Sequence, residues 1–191
     1  MINQKELQPY LDEVNENVAD FTTITNNVVH EKSADLDELM QDLKVAVTQP
    51  EAISTDALER YYIELSNLIY FMAERIEKLN VFKDMSKATA KEAYNKAYLK
   101  YSGEKDEKGK SLRTVNENSS LAERDSQYEA TVNTIYANAY DSLSMKLDMA
   151  QEMVSTLKHI LKRRTNEEYY NFQLSNMGNR DTNKDRLEGA F

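Results

Sequence analysis

The sequence predicts an all-α protein built on two long amphipathic helices that form an antiparallel helical hairpin, with shorter N-terminal helices before it and a polar C-terminal tail after it. Three observations carry that prediction. Only four glycines and two prolines occur in 191 residues, too few breakers for sheets or linkers. Apolar side chains recur every three or four positions over two separate stretches, the period of one helix face. Between those stretches, around residues 102–118, the period disappears.

Taken in chain order, residues 4–29 place Leu7, Tyr10 or Leu11, Val14, Val18, Phe21 and Val28 at near-helical intervals. Thr22, Thr23, Thr25, Asn26 and Asn27 have poor helix propensity, so this helix is expected to fray or end there. A shorter helix follows through Leu36, Leu39, Met40, Leu43 and Val47. Its acidic first turn, Asp35, Asp37 and Glu38, suits the positive end of a helix dipole, and Pro50 closes it.

The strongest pattern starts after Ser54 or Thr55, with Leu58, Tyr61, Leu65, Leu68, Met72, Ile76, Leu79 and Phe82. It continues through Ala88, Ala90, Ala93 and Ala97 to Tyr101, a helix of roughly 45 residues and, at about 1.5 Å per residue, near 70 Å long. Residues 102–118 hold Gly103, Gly109 and alternating charge, which predicts a mobile basic loop. Ser120 and Glu123 have capping-box spacing and place the next helix start at Ser120. That helix carries Leu121, Tyr128, Val132, Ile135, Ala139, Leu143, Leu147, Ala150, Val154, Leu157 and Leu161, and ends near Lys162, Arg163 and Arg164. Beyond Tyr169 and Tyr170 the chain turns rich in asparagine, glycine and charge. The expected division is an acidic helical region over residues 1–52, the hairpin over 53–170 and a flexible tail over 171–191.

Burying two apolar stripes at about 25 cal/mol per Å² outweighs the few tenths of a kcal/mol that surface ion pairs add. Each helix keeps an unshared apolar flank, including Tyr62, Ile69, Tyr136, Tyr140, Met145, Met149 and Met153. Either the N-terminal helices cover it or other subunits do, and the expectation is a homo-oligomer.

Several chemistries are excluded at this stage. With no cysteine and only His30 and His159, the sequence offers no thiolate or histidine metal site, no cysteine nucleophile and no cofactor motif. Acidic runs such as Asp35, Asp37 and Glu38, or Asp106 and Glu107, do not make a hydrolase without a shaped cavity and convergent partners, so no enzyme is expected. The N-terminus lacks a signal-peptide pattern and no stretch approaches a membrane span, which predicts a cytoplasmic protein without a membrane partner.

Net charge is −9, but its distribution is uneven. Residues 1–60 hold four basic groups against thirteen acidic ones, whereas residues 83–113 hold nine against five, a local balance of +4. Lys83, Lys87 and Lys91 recur every four residues along one helix face. Tyr94 and Tyr98 interleave with Lys91, Lys96 and Lys100, and Arg113 follows in the loop. Ammonium groups that track phosphates beside tyrosines that stack bases would form a single-strand nucleic-acid surface. The plainer alternative is a solvated lysine face with tyrosines in the core. Lys158, Lys162, Arg163 and Arg164 similarly suit a helix C-terminus without any ligand, and His159 reads as packed or solvent-facing.

The run Lys96-Ala97-Tyr98-Leu99-Lys100-Tyr101-Ser102-Gly103, the charged loop, residues 115–120 and the helix from Asp125-Ser126-Gln127-Tyr128 to Lys158-His159-Ile160 together resemble the UvsY-like recombination mediators of tailed bacteriophages. The likeness covers residues 58–164 and rests on order and spacing more than on identities. It implies single-stranded DNA binding, oligomers built through long helices, and assistance to a RecA-like recombinase in displacing the single-strand-binding protein, inside a phage-infected bacterial cell. The family's basic residues before the Tyr-Ser-Gly step correspond to Lys96, with Lys91 and Lys100 as neighbours, while Tyr98 stands where an arginine is expected. A different class stays open: a non-enzymatic structural or inhibitory helical protein whose acidic N-terminal region occupies a basic surface on another protein.

Overall fold

The computed structural model describes the backbone of residues 4–188 and the side chains of residues 19–175, apart from those of residues 45, 46 and 50. The protein is an all-α helical bundle, with α1 Gln4–Thr48, a 3-10 turn Pro50–Ala52, α2 Thr55–Ser102, α3 Val115–Asp125 and α4 Gln127–Glu188. No helix among the described residues is long and apolar enough to cross a membrane.

The first difference from the sequence reading is that α1 is one 45-residue helix rather than two shorter ones. Its buried positions explain why. Thr25, Val29, Ser33, Leu36, Leu39 and Leu43 are all buried and follow one another at steps of three or four. Two core positions are held by polar residues, so a search for apolar side chains sees a gap where the helix has none. Thr23 also turns its Oγ1 back onto the carbonyl of Ala19 at 2.8 Å, a bond that lets a threonine sit inside a helix. Leu7, Tyr10, Leu11, Val14 and Val18 lie outside the described side chains.

The start of α2 follows the sequence expectation: Ser54 Oγ accepts the backbone N–H of Ala57 at 3.2 Å, satisfying one of the first-turn amides. The next helix start does not. The capping box lies at Thr114 and Glu117, six residues before the predicted Ser120. Thr114 Oγ1 accepts the amide of Glu117 at 3.3 Å, and Glu117 Oε2 accepts the amide of Thr114 at 2.7 Å. Eleven residues later the helix breaks at Ser126, whose backbone (φ −101°, ψ 10°) leaves the helical basin, so α3 and α4 are separate elements. Ser126 is buried and its Oγ donates to the carbonyl of Ala122 at 2.8 Å, which completes the end of α3.

Two compact units form, each from three stretches of helix. The first joins the chain up to Ala34 with Tyr70–Leu147; the second joins Asp35–Ile69 with the chain from Asp148 onward. In the first, Val29, Met72, Ile76, Leu79, Ala122, Ala139 and Leu143 are buried. Contacts between α2 and α4 there run in opposite order, with Lys83 against Tyr140 and Ser86 against Asn133. α1 is tied in by Arg75, whose Nη1 donates to the Lys32 carbonyl at 2.8 Å, and by Lys146, whose Nζ donates to Ser33 Oγ at 3.0 Å. In the second unit Leu36, Leu39, Leu43, Leu58, Leu65, Ala150 and Leu157 form the core, and Arg164 Nη1 donates to Thr55 Oγ1 at 3.3 Å.

The last difference concerns residues 171–188, read from sequence as tail but helical as the continuation of α4. Burial is not the reason, since every residue from 165 to 175 is exposed. Propagation from a packed helix costs far less than nucleating a new one, and local links such as Arg163 to Glu167 (3.6 Å) and Gln173 Nε2 to the Tyr169 hydroxyl (2.8 Å) support it.

Candidate nucleic-acid interface

The basic segment ends in a built turn. Bond by bond, Asp106 organises it: its Oδ1 accepts the amides of Lys108 (2.9 Å) and Lys110 (2.8 Å), its own amide donates to the Lys110 carbonyl, and its carbonyl accepts the amide of Gly109. Gly109 adopts φ +74°, a conformation that its lack of a side chain allows, and Lys105 bridges to Ser111 across the turn. The aperiodic sequence of residues 102–118 therefore holds a hydrogen-bonded turn over 104–112 and the first turn of α3, rather than a loop throughout.

Tyr101 anchors the turn to the helices. Its ring is buried, its hydroxyl donates to Asp125 Oδ2, and the Arg113 guanidinium lies over the ring with its carbon 5.3 Å from the centroid. Arg113 is in turn ion-paired with Glu104. The Tyr101 hydroxyl holds the Asp125 carboxyl below its ordinary range, with Arg124 and Lys100 acting in the same direction. Glu117 is lowered too, mainly by the Thr114 amide. Both carboxylates thus stay ionised.

The candidate residues divide among different environments. Lys83 Nζ sits 3.6 Å from the centroid of the Tyr140 ring, a cation–π contact inside the first unit. Tyr94 and Tyr98 are half-buried and stacked on each other at 6.2 Å, and the Tyr94 hydroxyl donates to Ser119 Oγ at 3.4 Å. Base stacking would compete with those contacts. Lys100 is exposed, with Nζ 4.9 Å from the Tyr101 centroid. Lys87, Lys91 and Lys96 are exposed.

These lysines do not share one face. At about 100° per residue, the five-residue step from Lys91 to Lys96 turns the side chain through roughly 140°. Lys87 and Lys91 belong with Tyr94 and Tyr98 on one flank of α2. Lys96 and Lys100 line an open groove of about 680 Å³ on the other, together with Glu92, Asp125 and Glu129. Three carboxylates beside two ammonium groups make that groove a poor phosphate track.

Sequence reasoning singled out Arg113 in the loop but not Lys105, Lys108 or Lys110, all exposed on the turn. From Lys96 to Arg113 there are six basic groups against three acidic ones, a balance of +3, and one of those acids is neutralised by Arg113 itself. The signal was present in the charge count; the turn geometry that carries the three lysines together was not. Of the remaining sequence candidates, His159, Lys158 and Lys162 are exposed on α4, and Arg163 pairs with Glu167. Among the described residues no three His, Cys, Asp or Glu side chains converge to hold a metal ion. No protein-family model, curated protein or solved structure matches this chain.

Proposed function

We propose that the protein is a single-stranded DNA-binding recombination mediator that assists loading of a RecA-like recombinase, and that the turn between α2 and α3 is its main contact with the strand. One observation carries the reading: Lys105, Lys108 and Lys110 stand exposed on a turn whose shape is held by Asp106 and Gly109, so three cations are presented with little ordering cost on binding. Lys100 and Lys96 extend the positive surface along α2. In this reading α2 and α4 form the antiparallel hairpin that displays the turn, and several copies acting on one strand supply the affinity that one turn lacks. The test is fluorescence anisotropy with labelled oligo(dT) over a salt series. Saturable binding that weakens steeply with salt supports the reading; no binding at low salt removes it.

A second reading is favoured by a specific observation. Five of the eight candidate residues, Lys83, Tyr94, Tyr98, Lys100 and Arg113, already contact groups of their own chain. A non-enzymatic helical protein that binds a basic protein surface through its acidic N-terminal region would leave them so. Saturable protein binding in the absence of DNA affinity would select it.

A further inference from the structure

The face of α2 that points away from the core carries an unpartnered stripe within the first unit. Tyr70 is 73% exposed, Met85 62% and Leu99 70%, and Val81 is exposed between them. Their spacing repeats at helical intervals, so they share one side of the helix, opposite the buried Met72, Ile76 and Leu79. Along one edge of the same stripe run four charged residues, Glu74, Lys78, Glu92 and Lys96, all exposed.

The order of those charges identifies what covers the stripe. Glu74 lies eleven residues before Met85 and Lys96 eleven after it; Lys78 lies seven before and Glu92 seven after. If a second copy of α2 is laid antiparallel with Met85 on the two-fold axis, Glu74 faces Lys96 of the other copy and Lys78 faces Glu92, each twice by symmetry. Phe71, fourteen residues before, comes opposite Leu99, fourteen after. An antiparallel two-fold pair brings like edges together, and all four charges lie on one edge, whereas a parallel pair would set this edge against the opposite one. Lys78 is already bonded to Glu74 at 2.6 Å, so the cross-pairs extend a row Glu74, Lys78, Glu92, Lys96. No ion pair among the described residues engages Glu92 or Lys96.

We propose that the outer face of α2, from Tyr70 to Leu99, is an isologous interface on which two copies of this chain pair antiparallel with Met85 at the two-fold axis. The pairing stands independently of the polyanion reading. It seals the exposed methionine and tyrosine of each copy against the other, and the alternating charges select this register over a slip by one turn.

Because the chain has no cysteine, one introduced thiol reports its own position. The Met85→Cys variant of the full chain should oxidise to a covalent dimer at micromolar concentration, since a residue on the axis meets itself. Tyr128→Cys, equally exposed but on α4, should not at the same rate. Light scattering of the wild type should give twice the chain's 22.1 kDa. Glu92→Lys sets lysine against Lys78 at two places and should raise the dissociation constant on the order of tenfold, and adding Lys78→Glu should restore it. A wild-type mass of 22.1 kDa would overturn the pairing and leave the face to another kind of partner. So would equal cross-linking of the two cysteine variants, or an oligomer that Glu92→Lys does not weaken.

Discussion

Replacing Lys105, Lys108 and Lys110 together by alanine tests the turn as a phosphate contact with little risk to its shape. Asp106 is bonded to the backbone amides of Lys108 and Lys110, not to their side chains, and the Gly109 conformation is untouched. Each phosphate neutralised on a single strand contributes about −0.7 to the slope of log affinity against log salt, so three contacts account for about −2.1. Over a rise from about 50 to 200 mM salt, that slope alone corresponds to a loss of about twentyfold in wild-type affinity, which the triple variant should not show. Anisotropy of labelled oligo(dT) at four or five salt concentrations reads both quantities, and circular dichroism checks that helicity is retained. Lys87→Ala with Lys91→Ala is the matched control on the other flank of α2 and should flatten the dependence less. Superimposable curves for wild type and triple variant would refute the argument, as would a slope change confined to the control.

Other perturbations follow from the same geometry. Thr114→Ala removes the capping side chain of α3 and should cost about 1 kcal/mol in chemical denaturation at neutral pH. Because the folded protein holds the Glu117 carboxyl below its ordinary value of 4.5, its stabilisation is complete above that value and lost as pH falls through the lower folded one, so wild type and variant should converge in acid. Leu43→Ala, at a fully buried position of α1, should cost about 2–5 kcal/mol, and a loss below 1 kcal/mol would mean that α1 is an appendage rather than part of the second unit's core. Neutralising exposed acids of α1 by Asp20→Asn, Glu38→Gln and Asp42→Asn should raise affinity for oligo(dT) at low salt if like-charge repulsion moderates binding. Unchanged affinity would remove that role. These substitutions replace a truncation, which would strip Leu36, Leu39 and Leu43 from the core.

The helical class was legible because helix periodicity is written in apolar side chains: Leu58, Leu65, Met72, Ile76, Leu79, Leu143, Ala150 and Leu157, all read as stripe residues, are buried. The same code fails where polar residues take core positions. Thr25 and Ser33 are buried in α1 and hid its continuity, and buried Ser126 marks a break that a stripe cannot show. Two capping-box spacings stood within ten residues, and only the chain's path decided that Thr114 rather than Ser120 begins the helix. The separation of Lys91 from Lys96 followed from the turn angle of any α-helix and was obscured by reading charge along the sequence instead of around the axis. The turn lysines were counted but not singled out, since their grouping depends on Asp106 and Gly109 acting at the same place.

Long helices with repeating leucines face a problem of degeneracy. Shifting one against another by a turn exchanges leucine for leucine and changes the buried area little, so area alone sets no unique alignment. Within the first unit, polar contacts at specific heights break that degeneracy. Ser33 is fully buried and receives the Lys146 ammonium at 3.0 Å, while buried Ser86 meets Asn133 at 3.3 Å. A shift of either helix would strand a buried hydroxyl away from its partner, at a cost of about 1–3 kcal/mol for each group left unsatisfied. The serines that weaken the hydrophobic stripe thereby act as index marks, and replacing Ser33 and Ser86 with alanine would be expected to leave the helices formed but widen the set of alignments they sample.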